Sequence, residues 1–251
     1  MMNINKSIER FLSQKELNDS LFFPRTYMID NPYVVNCVTA TLYCKYFEID
    51  NPHKIIVFFY GNGECVNDYQ ALFPNFFNHI NCSLLLVEYR GYGMSSGIPT
   101  LPLIMQDVNY IINKINVPLD KIVLYGRSLG FYPLIEGIKK FPNVSGIILD
   151  SCNAYPEEFI ARHFSSLSPE KKKEISDFFN IRTVLESFQG KALVLHSQKD
   201  ALSPVEGAFL FKLYLEKKCK LVIYENGGHS SIIAQNTLAY FREIKNFLTC
   251  F

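Results

Sequence analysis

The sequence predicts an α/β fold, a mostly parallel, doubly wound sheet with a short helical cap, on three observations. Short, continuously apolar runs recur along the chain, helical candidates fall between them, and the chemically capable residues follow the ends of the apolar runs. Strands buried on both faces of a parallel sheet read as unbroken apolar stretches rather than as alternation. Strand and helix in alternation then place helices on both faces, with ligands at the carboxyl ends of the strands.

Taken in order, residues 33–48 alternate in polarity well enough for one or two β-strands, and Asn51-Pro52 breaks the pattern. The apolar runs follow: Ile55 to Phe59, Leu84 to Val87, Ile122 to Leu124, Ile147 to Leu149, Ala192 to Leu195 and Leu221 to Ile223. Helical candidates occupy residues 69–79, 103–113, 129–140, 205–217 and 231–248. The stretch between Leu149 and Ala192 is far longer than an ordinary crossover. It reads as a cap insertion at about residues 151–190, with helices over 155–164 and 169–179. Ser168 is the N-cap of the second, Pro169 its first helical residue and Glu170 part of its first turn. The whole chain, residues 1–251, is expected to form a single domain.

Composition narrows the partners. Hydrophobic residues make up 48% of the chain and charged residues 20%, with a formal net charge of +1. No overall field draws in nucleic acid, so none is expected as a partner. Lys171-Lys172-Lys173 is a solvated helix face, or at most a point of peripheral membrane contact. The seven cysteines are scattered, with no C-x-x-C pair, which fits reduced thiols and a cytoplasmic location. Neither a signal peptide nor a membrane-spanning run is visible, while signal-less export stays open. The histidines show no metal-ligand spacing, so neither metal nor other cofactor is expected. Cys65 and Cys152, near strand ends, read as buried apolar thiols.

Gly126-Arg127-Ser128-Leu129-Gly130 lies between an apolar strand and a helical stretch, the context in which G-x-S-x-G forms a nucleophile elbow. Serine is a poor nucleophile at neutral pH and needs a base. His229, after Gly227-Gly228, is the candidate. Asp200, after the strand ending His196-Ser197, is placed to orient the imidazole and stabilise its cation. Taken singly, a turn serine, a helix-capping aspartate and a lone histidine are each unremarkable; their joint order, each at a strand end, is not. Acyl transfer also needs an oxyanion hole. One donor is the amide of Leu129, and the second is that of Asn62 in Gly61-Asn62-Gly63-Glu64, with Gly63 as the alternative. Arg90 and Tyr92 read as ties between the loop that carries them and its neighbours.

These blocks, with Phe58-Phe59-Tyr60-Gly61-Asn62-Gly63-Glu64, Glu88-Tyr89-Arg90-Gly91-Tyr92-Gly93-Met94-Ser95-Ser96-Gly97 and His196-Ser197-Gln198-Lys199-Asp200, resemble the α/β-hydrolase superfamily of serine hydrolases. Within it the chain is similar to the Bem46-like branch and to the alpha/beta hydrolase domain-containing proteins 13 and 17, over roughly residues 34–250. The resemblance implies Ser128 as nucleophile, Asp200 as acid, His229 as base, and Asn62 and Leu129 as oxyanion donors. Tyr60 stands where the family usually has histidine, and Ser197 where it has glycine. The branch includes enzymes acting on fatty-acyl thioesters of proteins. A serine hydrolase of carboxylic esters or thioesters, small-molecule or protein-linked, is therefore expected. Phe159, Phe164, Leu167, Phe178, Phe179 and Leu185 of the cap are expected to line an acyl pocket. A prolyl-oligopeptidase-like peptidase and a non-catalytic binding protein on the same fold are the alternatives, and the oligomeric state is left open.

Overall fold

The computed structural model describes residues 2–164 and 166–251. In chain order the elements are α1 (Met2–Leu12), α2 (Lys15–Leu21), β1 (Tyr33–Asn36), β2 (Thr41–Phe47), β3 (Lys54–Phe59), α3 (Val66–Tyr69), α4 (Phe73–His79) and β4 (Cys82–Leu86). They continue with α5 (Leu101–Ile115), β5 (Ile122–Arg127), α6 (Phe131–Lys140), β6 (Gly146–Asp150), α7 (Pro156–Ala161), α8 (Pro169–Phe179) and α9 (Ile181–Ser187). The chain closes with β7 (Lys191–Ser197), α10 (Val205–Leu215), β8 (Cys219–Tyr224) and α11 (Ile232–Leu248).

The strands form one eight-stranded sheet in the order β1-β2-β4-β3-β5-β6-β7-β8. β1 pairs antiparallel with β2, and β2 with β4, while every pair from β4–β3 to β7–β8 is parallel. Every residue of β3, β4, β5 and β6 is buried, which is why these segments are apolar without alternation. The fold class expected from the sequence is therefore borne out, and all six apolar runs start or end within a residue or two of a strand bound. The reversals of strand order on either side of β3 open a crevice at the carboxyl ends of β3 and β5.

Helix ends follow local chemistry. Thr100 caps α5, its side chain accepting from the Leu103 amide at 3.4 Å, and Asn116 ends the helix in a left-handed conformation. Ser168 caps α8 as expected, accepting from the Lys171 amide at 3.2 Å, and left-handed Asn180 ends it. α9, which the sequence pattern does not mark, starts at that same asparagine. Two helices also precede Tyr33, where no element is expected. α2 buries Leu17 and Leu21, α1 lies against α5 and α8, and the Phe11 ring meets Phe164 edge-on at 5.3 Å between centroids. Lys171, Lys172 and Lys173 pair with Glu174, Glu158 and Asp177 at 2.6, 2.9 and 3.0 Å, the arrangement of a solvated helix face. No helix among the described residues is long and apolar enough to cross a membrane.

The loop after β4 anchors the first half of the sheet. Arg90 bonds both carboxylate oxygens of Asp107 on α5 and the Thr39 hydroxyl, and the Tyr92 hydroxyl accepts from the Phe23 amide at 2.8 Å. Glu88 is fully buried, accepts a hydrogen bond from the Tyr60 hydroxyl, and has its other oxygen without a partner among the described residues. Burial pushes its carboxyl up to about 8, against the lowering effects of the Tyr89 and Val66 amides and of Arg25.

Between its unfolded value near 4.5 and about 8, folded Glu88 keeps a proton that the unfolded chain releases, so stability falls as pH rises through that window. The slope from this one group is up to about 1.4 kcal/mol per pH unit. Chemical denaturation at pH 5 and pH 8 is expected to show the wild type losing more stability than Glu88→Gln over that interval. Equal losses in the two proteins would show that Glu88 ionises freely in the fold.

Candidate active site

β5 delivers Ser128 through a strained turn. Its φ is +49°, in the left-handed region that a non-glycine residue adopts at a cost of order 1–3 kcal/mol. The turn is held closed because α6 packs directly over β3 and β5. A Cβ on Gly130 would fall 2.0 Å from the carbonyl oxygen of Phe59, and one on Gly126 would fall 2.7 Å from that of Gly130. The two glycines of the pentapeptide are thus required by close backbone approach. The strain presents Ser128 Oγ, partly exposed, above the carboxyl edge of the sheet.

His229 and Asp200 come to it from the far strands. His229 Nε2 lies 2.8 Å from Ser128 Oγ, and His229 Nδ1 lies 2.8 Å from Asp200 Oδ2. The other oxygen of Asp200 accepts from the amides of Leu202 and Ser203 at 2.9 and 2.7 Å, so Asp200 both turns its own loop and faces the imidazole. Burial alone would raise the Asp200 carboxyl. The hydrogen bond and charge of His229, the Ser203 amide and the charge of His196 outweigh it and hold the group below the usual aspartate value. Asp200 therefore stays ionised through the mildly acidic range, and what it contributes to stability is lost only as pH falls through that lowered value. Ser197, in the place of the family's glycine, ties the two loops together: its hydroxyl donates to Gly227 O at 2.7 Å and accepts from the Lys199 amide at 3.2 Å.

Asn62 also reaches this site. Gly61 and Glu64 close a turn, Glu64 N donating to Gly61 O at 3.3 Å and Gly61 N donating to Glu64 Oε2 at 2.6 Å. The Gly61 amide is thereby taken. Asn62 lines the cavity in front of Ser128, whereas Gly63 does not. Leu129 is buried at the first turn after Ser128. Tyr60, standing where the family has histidine, braces the base of this loop: its hydroxyl bonds Glu88, and its carbonyl accepts from the Tyr89 hydroxyl at 2.7 Å.

Sequence reasoning missed the group that joins these loops. The Arg127 side chain is 3% exposed. Its Nε donates to Glu64 Oε1 at 2.9 Å and to the Tyr69 hydroxyl at 3.0 Å, one terminal nitrogen to Asp150 Oδ2 at 3.4 Å, and the other to the carbonyl of His229 at 3.1 Å. Asp150, fully buried at the end of β6, also accepts from the Tyr240 hydroxyl at 2.6 Å and the Ser151 hydroxyl at 2.8 Å. The available signal was a charged residue directly abutting each of two apolar strands, Arg127 after β5's run and Asp150 after β6's. Charges so placed must find each other, since an unpaired buried charge is prohibitive.

The cavity in front of Ser128 has a volume of about 300 Å³ and is bounded by the Asn62 turn, Tyr132 and Asn153, the cap residues Phe159, Arg162 and His163, and the loops carrying Ser203 and His229. Here the expected acyl pocket is corrected. Of the six cap residues, only Phe159 lines the cavity. Phe179 and Leu185 are fully buried in the core, and Phe164, Leu167 and Phe178 pack against it, because the cap folds its apolar face onto α1, α6 and α10 instead of roofing an open groove. Cys152 and Cys65 are buried, and burial pushes both thiols up, which disfavours the thiolate in each. Among the described residues no three His, Cys, Asp or Glu side chains gather as a metal site.

A strand-to-helix elbow on a mostly parallel eight-stranded sheet, with acid and histidine loops from later strands meeting over it, defines the α/β-hydrolase fold, and this chain has it. No family model matches the sequence. Its relatives include the alpha/beta hydrolase domain-containing protein 17C of Mus musculus, 22% identical over 249 residues that make up 94% of this chain and 70% of that protein. The alpha/beta hydrolase domain-containing protein aho-3 of Caenorhabditis elegans is 28% identical over 92 residues, 35% of this chain and only 28% of that protein's length. Among solved structures, the Pyrococcus furiosus esterase Pf2001 superposes with a TM-score of 0.72 at 18% identity, covering 91% of this chain and 98% of its own. The likeness to α/β-hydrolases read from the sequence motifs is borne out.

Replacing Arg127 by methionine is expected to leave Glu64 and Asp150 without their shared counter-ion and to cost about 3–5 kcal/mol of stability by denaturant titration. Arg127→Lys, which keeps the charge but not the fork of donors, is expected to fall between. A loss below about 1 kcal/mol in the methionine variant would show that the network does not hold the loops.

Proposed function

We propose that this protein is a serine hydrolase that cleaves carboxylic ester or thioester acyl bonds through an acyl-enzyme on Ser128. The observation that supports it above all is the unbroken hydrogen-bonded chain from Ser128 Oγ through both nitrogens of His229 to Asp200, at 2.8 Å in each step. Names borne by related proteins, hydrolases and esterases among them, agree with this reading.

Ser128 Oγ attacks the acyl carbonyl carbon while His229 Nε2 takes its proton, and Asp200 stabilises the resulting imidazolium through Nδ1–H. The tetrahedral oxyanion is met by the Leu129 and Asn62 amides. As the C–O or C–S bond of the leaving group breaks, His229 returns the proton to the departing oxygen or sulfur. Water, deprotonated by the same histidine, then attacks the acyl-enzyme carbonyl and releases the carboxylic acid and free Ser128. A cavity of about 300 Å³ is at the small end for ligand sites and suits a short acyl group rather than a fatty one.

A fluorophosphonate probe is expected to label the peptide containing Ser128, and Ser128→Ala to lose nearly all turnover, up to about a million-fold, with the fold retained. His229→Ala added to Ser128→Ala should cost little more than either alone. Labelling at Ser95, Ser96 or Ser203, or additive losses, would overturn the assignment. In a series of acyl esters, the specificity constant is expected to peak at or below butyryl and to fall at octanoyl and palmitoyl. A rise through palmitoyl would show instead that the cap opens into a long groove.

A further inference from the structure

Three residues that line the Ser128 cavity each carry a buried side-chain atom without a hydrogen-bond partner among the described residues: Asn62 Oδ1, the Tyr132 hydroxyl and Asn153 Nδ2. Asn62 belongs to the turn assigned to the oxyanion. Tyr132 and Asn153 do not: they lie on α6 and on the loop after β6, are 2% and 7% exposed, and each offers a donor. Buried donors are ordinarily satisfied, and a site lined by unsatisfied ones discriminates strongly in favour of a ligand that bonds them.

Next to them stands a cation. Arg162, just past α7 on the cap, lines the same cavity, reaches across it to donate to the carbonyl of Leu202 in the Asp200 loop, and has no carboxylate partner among the described residues. Of the other ionisable groups nearby, Glu157 has its Oε2 without a hydrogen-bond partner among the described residues. Glu64 has both oxygens occupied, by Gly61, Tyr69 and Arg127. His163 is held toward its neutral form, chiefly by burial. Glu157, beside Tyr132 but outside the cavity lining, has its carboxyl raised, again chiefly by burial.

Resting on the serine-hydrolase reading above, we infer that the preferred substrate is an ester or thioester of a short acyl group that ends in a carboxylate, held by Tyr132, Asn153 and Arg162. Two donors and a guanidinium complement the oxygens of a carboxylate, whereas a methyl-ended chain of the same length would leave Tyr132 and Asn153 buried and unpaired. The size of the cavity limits such an acyl group to a few carbons.

Butyryl and hemisuccinyl esters of 4-methylumbelliferol make a matched pair, differing by a terminal methyl against a terminal carboxylate. The wild type is expected to favour the hemisuccinate by at least about tenfold in specificity constant, with the preference shrinking as salt is raised. Arg162→Gln and Asn153→Ala, both checked for an intact fold by circular dichroism, are each expected to reduce that ratio several-fold. A butyrate preference in the wild type, or a ratio unmoved in Arg162→Gln, overturns the inference and leaves the hydrolase reading intact. Failure of both esters together with no labelling of Ser128 overturns the hydrolase reading itself.

Discussion

The buried guanidinium of Arg127 is the constraint on which this site depends. Arg127 closes β5 directly before Ser128, and from there it touches the Asn62 turn through Glu64, the histidine loop through the His229 carbonyl, and β6 through Asp150. Removing a cation from water is costly, so each of its donors must be met. The consequence is geometric. Three loops that arise from β3, β5 and β8, far apart in sequence, are held in register by one planar group whose nitrogens cannot move independently.

What the sequence carried and what it withheld divide along the same physical line. Ile122 to Gly126 and Ile147 to Leu149 are apolar because both faces of the sheet are covered, and that makes strands, their order and the points where loops begin recoverable from local pattern. Ser128, Asp200 and His229 follow as residues at strand ends. Arg127, Glu64 and Asp150 were not recoverable as a group, since pairing among residues this far apart is a property of the closed sheet. The helices before Tyr33 escaped for a different reason: Leu17, Leu21, Ile8 and Leu12 are sparse among polar neighbours, and only their burial in the folded domain, α1 against α5 and α8, gives them a core to face. α9 escaped because a single left-handed asparagine, Asn180, ends one helix and starts the next.

The cap shows how composition misleads when direction is unknown. Its phenylalanines are numerous enough to line a hydrocarbon pocket, yet amphipathic helices offer their apolar stripe to whichever surface is nearest, and here that surface is the body of the domain. What remains facing Ser128 is one ring, Phe159, among polar tips. A segment rich in aromatics thus leaves a small chamber of mixed lining, with most of its apolar area spent on attachment.

The contact between Gly130 and Phe59 has a further meaning. With a Cβ at 130 excluded by the Phe59 carbonyl, the backbone of the elbow and the backbone of β3 meet at van der Waals distance. The Asn62 turn grows from the end of β3 and Ser128 from the end of β5, so the separation between the Ser128 hydroxyl and the turn opposite is set by two peptide groups in contact. That spacing behaves as a built-in ruler: mutations elsewhere can reshape the chamber or its charge, while the span between Ser128 and the Asn62 turn stays constant.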